Sequence, residues 1–198
     1  MKKSSSNPIV ATLLAISFAV TAWLGAGSAH ADRLYGNIWV VGKIEQAYVA
    51  TGGPQKWGNP TISESAAANG GRFQRFAKDT SFYWHPSVAS GVAHQVGGAI
   101  RAKWADLQWE RGPLGYPVKN EQGHPESTTQ PNARSNDFQG GAIFWSAQTG
   151  AHPIWGEIYT KWLRLGATRS QYGLPITDEY KIGNRFAQRF EHGLLAWP

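Results

Sequence analysis

Three glutamates stand at matched places along the chain. Glu64, Glu121 and Glu179 each lie four residues beyond a proline (Pro60, Pro117 and Pro175), and each is followed by an arginine, Arg72, Arg134 or Arg185. A carboxylate accepts two hydrogen bonds, and the guanidinium fork fits it. Such a pair serves as a structural clamp, or as a polar fork for the vicinal hydroxyls of a sugar. A glycosidase would need two of these carboxylates about 5 to 9.5 Å apart on one cleft. Separate copies of a repeat hold them further apart, so the reading is non-catalytic and no enzyme is expected.

The histidines and aromatics extend the same theme. His94 and His152 occupy equivalent positions, but the third equivalent is Ile38. A three-histidine metal site is therefore not expected, and the two rings read as hairpin packing or as ligand contacts. There is no G-x-S-x-G elbow, no H-E-x-x-H pair and no phosphate-cradling glycine loop. Tyr48, Trp104 and Trp162 fall on helix faces and read as core. Trp84, Trp145 and Trp197 end the same strand in each copy, whereas Trp39, Trp57, Trp109 and Trp155 break the pattern. An exposed indole can stack on the C–H face of a sugar. The candidate glycan-binding set is Trp57, Tyr116, Trp145 and Trp155 with Glu64, Glu121, Glu179, Arg72, Arg134, His94 and His152. No cofactor and no metal are expected.

These residues sit in a chain of 198 residues with Lys+Arg 19, Asp+Glu 13 and no cysteine. That count excludes a disulfide framework, a thiolate zinc site and a cysteine nucleophile. Lys2 and Lys3, the apolar run from Ile9 to Leu24, and Ala29-His30-Ala31 read as a secretory signal over 1–31. The expected product is secreted, with no membrane contact after cleavage. The basic residues are scattered without a run, so no nucleic-acid partner is expected. Residues 32–198 are expected to form one domain.

An internal repeat must position the candidates. Gly42, Gly98 and Gly156 each open a short apolar-periodic segment. An aromatic- or leucine-Gly-x-Pro turn follows, then a glutamate, then a hairpin ending in tryptophan. The unit recurs every 56 to 58 residues. The expected division is a closing strand at 32–41 and repeats at 42–97, 98–155 and 156–198. Each repeat reads as helix, turn, short strand and β-hairpin. The third stops where its hairpin should turn back, and Ile38–Val41 is β-prone. The expected fold is α+β: three repeats in a closed pseudo-threefold ring, with the N-terminal strand completing the last repeat. A linear stack is the alternative. Residues 120–137 hold a Ser/Thr/Gln/Pro-rich stretch expected to be a solvated loop.

Leu114-Gly115-Tyr116-Pro117, Glu121, Phe138 to Trp145 and Thr149 to His152 resemble the LGFP repeat. The resemblance covers 32–198 as three copies, closest in the middle one. It implies a secreted module of mycolic-acid-bearing cell envelopes, associated with the wall and binding its polysaccharide, arabinogalactan. Two other functions stay open beside it. One is a docking module that recruits secreted envelope enzymes, and the other is a small wall glycan hydrolase.

Overall fold

The structure, a computed structural model, describes residues 32–198. The expected signal segment 1–31 lies outside the described residues. The chain opens with a hairpin of β1 (Arg33–Tyr35) and β2 (Ile38–Val40). Then come α1 (Gly42–Ala50), α2 (Gly53–Trp57) and a sheet of β3 (Ser65–Ala66), β4 (Arg72–Phe76), β5 (Thr80–Trp84) and β6 (His94–Gly97). Helix α3 (Gly98–Asp106) leads to β7 (Gln122–His124), β8 (Ala133–Phe138), β9 (Gly141–Ser146) and β10 (Gly150–Trp155). Helix α4 (Gly156–Arg164) leads to β11 (Tyr180–Ile182), β12 (Arg185–Phe190) and β13 (Gly193–Trp197). All strand pairings named here are antiparallel.

The chain is α+β, but the closed ring is not formed. β13 pairs with β12, while Ile38–Val40 pairs with Arg33–Tyr35. The reason lies in the register. Val40 stands where Val96 stands in the next unit, and Val96 faces Ser81 of β5. In the first hairpin Arg33 takes the place of that Ser81. β1 thus fills the position that closure required of β13. The first hairpin is half a unit, and the units follow it as a linear stack.

Sheets and helices alternate along this stack. One core holds Val40, Ile44, Tyr48, Phe76 and Phe82. The next holds Tyr83, Ile100, Trp104, Leu114 and Phe138. The third holds Phe144, Ile158, Trp162, Leu174 and Phe190. Neighbouring residues Phe82 and Tyr83 point into different cores because strand side chains alternate between faces. Each of the two four-stranded sheets therefore serves two cores, and no unit buries its apolar surface alone. The same contact recurs across each joint. Tyr35 meets Tyr48 edge-on at 5.1 Å, Tyr83 meets Trp104 at 4.7 Å and Phe144 meets Trp162 at 4.8 Å.

Glycine sets the two sharp turns of the unit. Gly42, Gly98 and Gly156 enter their helices at φ of +56°, +52° and +56°. In the Gly-x-Pro turn, Gly58, Gly115 and Gly173 adopt φ of +73°, +66° and +71°. The following prolines Pro60, Pro117 and Pro175 bridge to Phe76, Phe138 and Phe190. Ile158 and Trp162 of α4 are buried as their spacing implies, but the helix ends at Arg164 and Leu165 is 44% exposed.

The 120–137 stretch is not a free loop. Thr128 N–H donates to Thr168 O at 3.0 Å, and Gln130 Nε2 to Glu191 Oε1 at 2.6 Å. Thr129 also bonds Glu191, and Glu126 accepts from Thr168 Oγ1 at 3.0 Å. Its polar residues find partners on the third unit, so the insertion straps two units together.

Candidate functional site

The repeated glutamates flank the first strand of each sheet, on the face their sheet shares with its own helix. Glu64 accepts from Arg72 Nε at 2.7 Å. Arg134 Nη1 lies 3.7 Å from Glu121 Oε1. The third copy differs. Glu179 accepts from Trp155 Nε1 at 3.2 Å. Arg72 and Arg134 face Trp84 and Trp145 across the strand pair, whereas Phe186 faces Trp197. Arg185 sits one residue out of this register, and a one-residue step turns a side chain to the other face.

The middle copy forms the fullest cleft. Glu121, Arg134 and Trp145 join Gly97 to Ile100, at the start of α3, around a cavity of about 260 Å³. Desolvation raises the pKa of Glu121 above the usual carboxylate value, against the opposing charges of Arg134 and Lys56. The cleft offers a carboxylate, a guanidinium and an indole to one ligand. That set can bond vicinal hydroxyls and stack on a ring face.

The remaining candidates divide by role. Trp57 packs edge-on to Phe82 at 5.9 Å, and its Nε1 donates to Thr51 Oγ1 at 2.9 Å. Tyr116 is 3% exposed and its hydroxyl donates to Ala68 O. Both are engaged in joining parts of the fold. Burial lowers the pKa of His94, against a contact with Asn120 that raises it. His152 bonds Asp178 Oδ1 through Nδ1 at 2.8 Å and Thr149 O through Nε2 at 3.0 Å. Lys103 lies 3.1 Å from the same Asp178 carboxylate. Neither histidine lines the Glu121 cleft. Among the described residues, no group of three or more His, Asp or Glu side chains is arranged to hold a metal.

Spacing alone missed Tyr159, His124, Lys119 and Asp137, which line open cavities beside α4. They lie outside the repeat pattern, and only the docking of α4 on the second sheet gathers them.

The LGFP repeat family matches residues 58–112 and 114–170. Each matched copy begins at the Gly-x-Pro turn and takes in one sheet with the helix that follows it. No curated protein matches the chain in sequence. Among the described residues, no helix is long and apolar enough to cross a membrane.

Proposed function

The chain belongs to the LGFP repeat family, and we propose that it is a secreted wall module that binds wall polysaccharide, arabinogalactan, through its sheet clefts. The family association with the cell wall supports the location. The observation that carries the binding is the Glu121–Arg134–Trp145 cleft of about 260 Å³. Its carboxylate, guanidinium and indole are groups that bond hydroxyls and stack on a sugar ring. The Glu64–Arg72 pair beside Trp84 repeats the arrangement one unit away. Repetition converts weak single contacts into retention on a polymer.

The test is sedimentation of the protein with purified arabinogalactan, with peptidoglycan as control. Retention on arabinogalactan, weakened by Arg134→Ala with Glu121→Gln, supports the reading. Equal retention on both polymers, or none, overturns it.

A second reading is docking of secreted envelope enzymes. It is favoured by the exposed apolar residues of the last sheet: Ile182, Phe186, Leu194 and Trp197 are 39 to 50% exposed. Binding to wall that carries its proteins, and not to stripped wall, would favour it.

A further inference from the structure

Successive joints of the stack carry a second kind of cavity. At the joint of the first four-stranded sheet with α3, one of about 330 Å³ is lined by Phe73, Arg75 and Tyr83 of that sheet and by Arg101, Trp109 and Arg111. At the next joint, one of about 530 Å³ is lined by His124, Asp137 and Phe144 of the second sheet and by Tyr159, Thr168 and Arg169. The two are the same place in the repeat. Tyr83 faces Phe73 across the strands, as Phe144 faces Ser135. Arg101 and Tyr159 are each three residues after the helix glycine. Arg111 and Arg169 each end the 3₁₀ turn after their helix, at Trp109–Arg111 and Ala167–Arg169. Each family unit, a sheet with its following helix, contains one whole groove. The Glu121 cleft instead draws its walls from two units.

We propose that these joint grooves are consecutive sites for a single linear polysaccharide, each taking a short run of sugars. The proposal rests on the reading that the ligand is a wall glycan. It assigns that ligand to surfaces which the repeated glutamates do not mark.

Three features point to a sugar chain. Each groove has a buried aromatic at its base from one sheet, Tyr83 or Phe144, and a half-buried aromatic from the next helix or turn, Trp109 or Tyr159. Each carries an exposed guanidinium at its rim, Arg111 or Arg169. Polar pairs complete the lining. Lys119 meets Asp137 at 2.7 Å, and His124 meets Glu126 at 2.9 Å and Ser135 Oγ at 2.7 Å. The cluster is fixed before any ligand arrives.

Trp109 adds an independent sign. It adopts φ +56°, where the first and third units have Gly53 at +54° and Ala167 at +50°. A bulky residue in the left-handed region is strained, and such strain gathers at ligand sites. Here it sets the indole edge-on to Trp104 at 5.4 Å and under the Arg101 guanidinium at 5.2 Å, on the groove wall.

The experiment compares the full chain with two double variants, Arg75→Ala with Arg111→Ala and Tyr159→Ala with Arg169→Ala. The probes are arabinogalactan and short oligosaccharides cut from it. Disabling either groove should lower apparent affinity for the polymer by roughly 100-fold, because the second contact is lost. For a short oligosaccharide, the same change should remove one bound oligosaccharide per chain and leave the affinity of the remaining sites unchanged. Arg169→Ala alone, at an exposed position, covers the case in which the Tyr159 variant unfolds. Folded variants that hold the polymer as tightly as the parent overturn the joint assignment, and leave polysaccharide binding to the Glu121 cleft. A parent chain that does not bind the polymer overturns both.

Discussion

The side-chain amide of Asn136 donates to the carbonyl of Gln95, 2.9 Å away, and so ties the second sheet to the first. The same amide donates to Lys119 O at 3.1 Å, in its own turn segment. Gln74 repeats this one unit earlier with Trp39 O and Ile62 O, and Gln188 one unit later with Pro153 O and Thr177 O. One buried amide per unit therefore holds both the joint and the turn that carries the glutamate. Asn136→Leu removes the donor and leaves two carbonyls short of a partner. Loss of such buried contacts costs about 2 kcal/mol. Urea unfolding should show this as a lower midpoint. An unchanged midpoint would mean the amide is not a tie.

Removal of residues 32–41 tests the linear stack. Those residues supply Val40, fully buried in the first core, the Tyr35 edge against Tyr48 and the Arg33–Glu45 pair at 3.3 Å. In a one-dimensional stack each unit contacts only its neighbours. Hydrogen exchange should quicken in α1 and leave α3 and α4 protected. Equal loss in all three helices would point to a cooperative closed unit instead.

Acid should loosen the joint between the second and third units. Three carboxylates there titrate below their usual range. Hydrogen bonding from His124 lowers Glu126 to about 2. Burial works against Asp178, but hydrogen bonds from His152 and Lys103 outweigh it. Burial likewise opposes Glu191, and the bonds from Leu174 N–H, Thr129 and Gln130 outweigh it. A carboxylate whose folded pKa is depressed stabilises fully above its unfolded value and loses that contribution as pH falls through the folded one. The contribution of these three carboxylates should therefore be level above about pH 4.5 and fall toward pH 2. Glu126→Gln should flatten part of that fall. Circular dichroism against pH checks both, and a midpoint independent of pH in this window rules the mechanism out.

The sequence carries the unit well and its connections poorly, for a physical reason. The helix glycines, the Gly-x-Pro turns and the helix aromatics are local requirements, and they repeat visibly. Ile38–Val40 reads as a strand from composition, but strand propensity does not name a partner. The short Arg33–Tyr35 segment takes that place. Counting also pairs Glu179 with Arg185, yet the side chain's face depends on register, and Phe186 holds the position that Arg72 and Arg134 hold elsewhere. The cleft around Glu121 was legible because its glutamate, arginine and tryptophan keep the repeat spacing. The joint grooves were not, because their walls come from a sheet and the next helix, with different side chains at each joint.

Gly115 offers a test of the turn that defines the unit. At φ +66° an added Cβ would stand 2.7 Å from Gln139 Oε1. That oxygen accepts from the Tyr116 N–H at 2.9 Å, so the new methyl strains the backbone and displaces a bond that holds the turn. Gly115→Ala should cost about 1 to 2 kcal/mol from the left-handed conformation alone. The third unit has the same design, with Glu191 accepting from Leu174 N–H at 2.8 Å. In the first unit Ala77 takes the place of that acceptor, and its Cβ is the nearest atom to a methyl on Gly58, at 2.9 Å. Gln139→Ala should therefore lower the thermal midpoint less than Gly115→Ala, since the first unit folds its turn without the side-chain acceptor. If Gln139→Ala is the more damaging of the two, the side chain and not the glycine holds the turn.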